Sequence, residues 1–330
     1  MYKFQVKLET AEEIVRMQSE KKIKVIEGDI DVIINGESFS YTIGKFDGLI
    51  KSITFNNKEL LESPMEIVSF RAPVDNDTPF GLLREIKASP WVGVSSGNYR
   101  YPVTDLRDFK VVEITDKKAV FSYELWFGAL GQKPAVFANI NITINNEGFL
   151  KIHQVGKVAE ASTYLMRYGY SWNLSRDLNN ISYFGYDPQE TYIDKYSYSL
   201  MDIYNIKVED TFVDYLVPQE CGSSYNTKWA KLTDDSGNGI IFCGKGFSFN
   251  ACEYTVEELT EKNHPYELVK SGNTVVHTDY FMSGVGSCAL GTKLLPQYRF
   301  ENMDIDFELV ICPISNNDNC FKKYNLSKNI

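Results

Sequence analysis

The residues best placed for chemistry are carboxylates. Phe70 to Gly81 reads FRAPVDNDTPFG, with Asp75 and Asp77 two apart, prolines on both sides and Arg71 just before them. A close pair of carboxyls can work as general acid and general base. On an extended proline-flanked loop, however, side chains two residues apart usually diverge, and Asp and Asn there commonly cap nearby backbone N–H groups. Arg71 beside one aspartate would also hold it ionised and spoil it as a proton donor. A loop tied down by its own side chains is therefore the preferred reading of Asp75, Asn76 and Asp77. Pro188-Gln189-Glu190 and Pro218-Gln219-Glu220 pose the same question and take the same answer.

Other chemistries have less to build on. The three histidines are His153, on the solvent side of the strand pattern LKIHQV, His264, in the turn-like NHP, and His277, at the end of the apolar run TVVH. Each reads as a surface or edge histidine rather than a base, since histidine has many roles besides catalysis. The six cysteines show no CxxC spacing, so they read as buried free thiols and give neither a zinc site nor a disulfide framework. There is no GxGxxG, no phosphate loop and no HExxH.

The elements that must position these residues are strands. FSYTI (39–43), AVFSYELWF (119–127) and ANINITI (138–144) alternate apolar and polar residues with period two, as half-buried antiparallel strands do. Turn signals separate them: Asn35-Gly36, Asn56-Asn57, Asn145-Asn146-Glu147-Gly148 and the run from Asp234 to Gly239, which predicts a hairpin joining KWAKLT to IIFCG. Helical patterns are short: 79–89, and 255–262 with Thr255 and Glu258 at capping-box spacing; residues 9–21 lack a clean apolar face. Over a chain of 330 residues rich in aromatics (21 Tyr, 20 Phe), this predicts an all-β protein of two packed sheets with a few short helices. From Pro313 onward the alternation and the aromatics fade, and a loosely packed tail over 314–330 is expected.

A net charge of −10 without any basic stripe argues against a nucleic-acid partner. No run approaches the ~18 apolar residues of a membrane span, and the start of the chain lacks the apolar core of a signal peptide. A cytoplasmic protein with no membrane partner is expected.

Several stretches occur in a recognisable order and spacing: FRAPVDND (70–77), YFGYDPQETYIDK (183–195), YLVPQECG (215–222), KLTDDSGNGIIFCG (231–244), FSFNACEYTVEEL (247–259), NHPYEL (263–268) and MSGVGS (282–287). Together, over about Ile30 to Pro313, they resemble the C-terminal region of the large bacterial β-galactosidases of glycoside hydrolase family 2, including the separate small subunit of enzymes split into two chains. The resemblance implies a large antiparallel super-sandwich like that of the galactose mutarotases, filling residues 26–313, and a role with lactose and other β-galactosides. Residues 1–25, with YKFQVK ahead of LETAEE, look like the exit of the immunoglobulin-like domain or linker that precedes this region in the long enzymes, which favours a piece of a longer chain over a natural small subunit.

The resemblance also implies what is missing. In that family the two catalytic glutamates and the magnesium ligands lie in an upstream (β/α)8 barrel, on the same polypeptide or on a large subunit, and no stretch here is similar to it. It follows that this chain holds no catalytic residue and no metal or cofactor, and is inactive alone. Its partners would be that barrel, the galactoside and further copies of the full enzyme in a homo-oligomer. Some relatives contribute a Trp from the loop after the GVG motif; the corresponding loop here, GVGSCALGTK (284–293), has none. Ser287, Cys288, Ala289, Leu290 and Gly291 would then line the substrate site with backbone and small apolar groups. Two further departures are Asp187, where the family's FGxGP loop has its second Gly, and Ile193-Asp194-Lys195, where Pro-Asp-Arg is usual. Arg71, Asp75, Asn76, Asp77, Gln189, Glu190, Gln219 and Glu220 mark the family and read as scaffold. The rival functions are a stand-alone carbohydrate-binding or mutarotase-like module and an architectural oligomerisation domain.

Overall fold

The computed structural model describes residues 20–77, 99–159, 164–186, 189–286 and 294–330. The expected helix at 79–89, the segment 9–19, Asp187 and the substrate-loop residues Ser287 to Gly291 lie outside the described residues.

A small sheet comes first, in sequence order: β1 (Lys24–Glu27), β2 (Asp31–Asn35), β3 (Phe39–Gly44), β4 (Ile50–Phe55) and β5 (Lys58–Glu59). The second sheet collects β6 (Glu66–Val68), β7 (Pro102–Ile114), β8 (Lys118–Ala129), β9 (Val136–Asn145), β10 (Leu150–Val158), β11 (Arg167–Leu174), β12 (Asn180–Tyr186), β13 (Met201–Lys207), β14 (Ser224–Thr233), β15 (Gly239–Cys252), β16 (Thr274–Met282) and β17 (Asp304–Ile314). Its main path is β13-β12-β14-β15-β17-β10-β9-β8-β7, and every pairing is antiparallel. β15 makes the branch. Residues 239–244 pair with β17, whereas 248–252 pair with β16, which leads on through β11 to β6. One long strand thereby serves both layers of an all-β sandwich.

The period-two patterns account for the core. On β8 and β9, Phe121, Leu125, Phe127, Ile140, Ile142 and Ile144 are fully buried while their chain neighbours, Gly128 apart, are exposed or half-buried. They join Val32, Ile34, Tyr41 and Ile43 of the small sheet and Tyr170, Trp172, Phe242, Leu309 and Ile311 in one cluster. The turn chemistry also holds: Asn56 and Asn57 take φ of 50° and 65° between β4 and β5, and Thr233 faces Gly239 at the hairpin of β14 and β15. Among the described residues no helix is long and apolar enough to cross a membrane.

Helix α1 (Val256–Glu261) starts where its cap predicts, with Thr255 Oγ1 accepting from Glu258 N at 3.1 Å. The Glu258 carboxylate does not close the box; it accepts from Val269 N. The expectation of a loose tail is corrected. β17 runs on to Ile314, and α2 (Cys320–Ser327) lies over a second apolar cluster of Phe149, Trp229, Ile241, Cys243, Val310 and Cys312. Asn319 caps it, its Oδ1 accepting from Lys322 N at 3.0 Å, and Phe321 meets Trp229 edge-on with ring centroids 5.7 Å apart. The helix is too short for its period to stand out, and the apolar surface it covers is created by three distant strands. Asn319→Ala should lower stability by about 1 kcal/mol, the usual value of such a cap; an unchanged urea midpoint would mean that α2 is not part of the cooperative unit.

Candidate functional site

The marker loops converge at the end of the sandwich where β11 begins and β16 finishes. After β6 the chain passes Arg71 and enters a single 3-10 turn, Asp75–Asp77. Asp77 is buried and takes a two-pronged bond from Arg71, with Nε to Oδ2 at 3.0 Å and Nη2 to Oδ1 at 2.9 Å, while its Oδ2 also accepts from Val74 N at 3.1 Å. Asp75 is exposed. The two aspartates therefore diverge as predicted, and Arg71 chooses Asp77. Burial alone would lower the Arg71 pKa, but Asp77 and Glu220 outweigh it and keep the guanidinium charged.

The remaining Arg71 donors go elsewhere: Nη1 to Ser283 O, and Nη2 to Gly284 O at 2.9 Å. Asn76 Nδ2 donates to Val285 O at 2.8 Å. From the opposite side Asp194 accepts from Val285 N at 3.1 Å and from Gly286 N at 2.7 Å. Every backbone group engaged here belongs to residues 283–286, the root of the 284–293 loop. The glycines of GVG are required by this clasp. A Cβ on Gly284 would stand 2.5 Å from Asp194 Oδ2, and Gly286 has φ +78° with Asn76 2.9 Å from where its Cβ would be.

The two Pro-Gln-Glu stretches brace the same end. Gln219 Oε1 accepts from Asp75 N at 3.2 Å, and Glu220 N donates to Ala72 O. Glu190 is buried and accepts from Lys195 Nζ, the Tyr215 hydroxyl and Gly222 N, which fastens the loop around 190 to that around 220. Gln189 is on the same loop and exposed. Burial, with Glu190 beside it, pushes the Tyr215 hydroxyl pKa up, so it stays a donor to that carboxylate.

A second buried arginine was not signalled by any motif. Arg167, at the start of β11, forks onto Asp279 of β16, with Nε to Oδ1 at 3.2 Å and Nη2 to Oδ2 at 2.8 Å; its Nη1 is 3.4 Å from Glu220 Oε2. Burial raises the pKa of both Glu220 and Asp279, and Arg167 limits the rise. The signal that could have found this pair is a charge inside each of two apolar strand patterns, LMRYGYSW and VVHTDYFM.

The histidines are only partly as expected. His153 faces solvent, and His264 opens the turn at Pro265–Glu267. His277 is corrected: it is buried on β16, and burial with Arg167 nearby holds its pKa well below the usual value. TVVH is not an edge, because β16 is flanked by both β11 and β15. The described cysteines are free thiols, and Cys221, Cys243, Cys252 and Cys312 are buried.

Two cavities can be compared with this arrangement. One of about 120 Å³ lies beside the loops, lined by Ile193, Tyr225, Phe247, Tyr280 and Met282 among others. One of about 390 Å³, lined by Arg176, Lys207, Glu253, Lys270 and Thr274 among others, lies at the far end of β11 and β16. Neither is lined by a histidine. His153 does meet a carboxylate, Asp306, but on an open sheet face.

Comparison with known proteins gives a consistent picture. A family model described as "Beta galactosidase small chain" matches residues 35–311. A beta-galactosidase of Actinobacillus pleuropneumoniae is 32% identical over 287 residues, covering 87% of this chain and 27% of that protein. One from Staphylococcus xylosus is 27% identical over 296 residues, covering 89% and 28%. The chain thus spans little more than a quarter of the length of these relatives. Among solved structures, a GalM/aldose epimerase homologue from C. elegans is similar at 12% identity and a TM-score of 0.45, over 90% of this chain and 100% of that one; so loose a likeness bears on neither substrate nor mechanism.

Proposed function

Because the chain belongs to the family of the β-galactosidase small chain, we propose that it is the C-terminal super-sandwich region of a β-galactosidase. In this reading it docks on a catalytic (β/α)8 barrel, on the same polypeptide or a separate large subunit. Its 284–293 loop then walls part of the site where terminal β-D-galactosides such as lactose are hydrolysed. The observation that carries the reading is the clasp of Arg71, Asn76 and Asp194 on residues 283–286. Buried charged groups spent on fixing one loop's approach are what a site wall needs, since small misplacements weaken positioning.

The chemistry belongs to the barrel, as a retaining reaction of the glycoside hydrolase family 2 type with magnesium bound there. Such a reaction needs two carboxyls about 5–5.5 Å apart, one of them able to donate a proton. The buried carboxylates described here serve the scaffold: Asp77 and Asp279 take arginine forks, Glu190 takes Lys195, Tyr215 and a backbone amide, and Glu220 faces Arg167. The chain completes an enzyme without performing the hydrolysis. Buried free thiols agree with action in the cytoplasm, where thiols stay reduced.

The test is hydrolysis of a chromogenic aryl β-galactoside by the purified chain, by the barrel portion and by the two mixed. Activity only on mixing is the expected result; turnover by this chain alone would overturn the assignment of chemistry to the barrel. In the full enzyme, deleting Ser287–Thr292 should raise KM for lactose several-fold with folding unaffected, and unchanged kinetics would remove the site-wall role.

A further inference from the structure

We propose that His153, Asp306 and Glu308 form a binding site for a first-row divalent transition-metal cation on the outer face of the large sheet. The three residues come from two neighbouring strands. His153 of β10 stands directly opposite Glu308 of β17, and Asp306 lies two residues along from Glu308. Strand alternation puts residues two apart on one face, so all three side chains project the same way.

Their ligand atoms already lie close together. His153 Nε2 is 2.8 Å from Asp306 Oδ1 and 3.8 Å from Glu308 Oε1, and one ligand atom from each residue falls within 4.8 Å of the other two. Nitrogen and oxygen ligands about 2.0–2.2 Å from a cation sit roughly 3–3.5 Å from one another in tetrahedral or octahedral geometry, so small side-chain rotations suffice. The frame beneath is stiff, because β10 is paired on both sides by β9 and β17, and β17 by β10 and β15. An imidazole with two carboxylates suits Zn²⁺, Ni²⁺, Co²⁺ or Mn²⁺ better than the oxygen-seeking Mg²⁺ or Ca²⁺. The His153 and Glu308 side chains are each 29% exposed and that of Asp306 65%, which leaves positions for water on the ion.

The anionic side of the cluster already attracts a cation. Lys245 Nζ is 3.1 Å from Glu308 Oε1, with its side chain 71% exposed. An exposed pair of that kind contributes little, so a divalent ion can displace it at low cost. No motif announces the site, because its histidine and first aspartate are 153 residues apart in the chain.

A cation here would join the central strands β10 and β17 in the folded chain only, and so would raise its unfolding temperature. The experiment is titration of the metal-free full chain with Ni²⁺ and with Co²⁺, followed by calorimetry, by the Co²⁺ visible spectrum and by thermal unfolding. Saturable one-to-one binding and an upward Tm shift are expected. His153→Ala, on an exposed face, should weaken binding at least tenfold and abolish the shift. Lys245→Ala, which removes the competing ammonium and no ligand, should tighten binding several-fold. Absence of saturable binding by the parent chain, binding unchanged in His153→Ala, or the intense thiolate-to-cobalt absorption of cysteine ligation would each overturn the proposal.

Discussion

Arg71→Met is expected to lower the stability of the chain by about 3–5 kcal/mol, the usual loss when one partner of a buried ion pair is removed. The mechanism is specific. Arg71 and Asp77 are both buried, so the variant leaves a carboxylate without its counter-charge and also orphans the carbonyls of Ser283 and Gly284. The size of the loss comes mainly from Asp77, which gives a control. Adding Asp77→Asn to Arg71→Met keeps an oxygen for Val74 N while removing the buried charge, and should recover more than half of the loss. Urea unfolding of parent, single and double variants measures this. A single-variant loss below about 1 kcal/mol would mean that water reaches Asp77 and that the pair is not buried in solution. In an assembled enzyme with the proposed site wall, the double variant should keep its fold yet raise KM, since the hold of Arg71 on the carbonyls of Ser283 and Gly284 is still missing.

Arg167→Met should be comparably damaging and should carry a clear pH signature. Arg167 faces two carboxylates, Asp279 and Glu220, and Glu220 Oε1 already has no hydrogen-bond partner among the described residues. Burial raises both pKa values above their ordinary 3.8 and 4.5, and Arg167 is the first influence holding them down. Removing it lets both rise further. A carboxyl whose folded pKa lies above its unfolded value adds stability below the unfolded pKa, and loses it as pH rises through the folded value. The stability gap between variant and parent should therefore be widest near pH 8 and narrow progressively on acidification. His277, buried nearby, has a pKa lowered by burial and then by Arg167 and loses stability as it becomes protonated; removing Arg167 eases that loss, so His277 also narrows the gap on acidification. A gap independent of pH would place the carboxylates in contact with water and remove this account.

Much of the scaffold was legible because its signals are local. Alternation over 119–127 and 138–144 became β8 and β9, the glycine-rich run at 234–239 became the hairpin, and Thr255 capped α1. These follow from period-two burial and from turn and cap chemistry, which a few adjacent residues decide. The family resemblance was equally legible, since it rests on stretches quoted directly from the chain. Where expectation and structure part, the cause is non-local. The tail becomes a packed helix because Phe149, Trp229 and Val310 expose apolar surface on the outer side of the sheet, and His277 is interior because β16 has a partner on each side.

The candidate site divides along the same line. From the chain alone came the expectation that Arg71 would pair with a neighbouring aspartate and that the carboxylates near it would tie down a loop, while the family resemblance pointed to GVG and the loop after it. The packing of distant segments fixes that Arg71 takes Asp77 while also holding Ser283 and Gly284, that Asp194 grips Val285 and Gly286 from the other side, and that Arg167 joins Asp279 and Glu220. Asp77 is only six residues from Arg71, but the other partners are separated by 53 to 213 residues in the chain. A buried charge declares in the sequence only that it needs a counter-charge and hydrogen bonds. Which residues supply them is set by how β11, β15 and β16 stack, and no spacing along the chain encodes that.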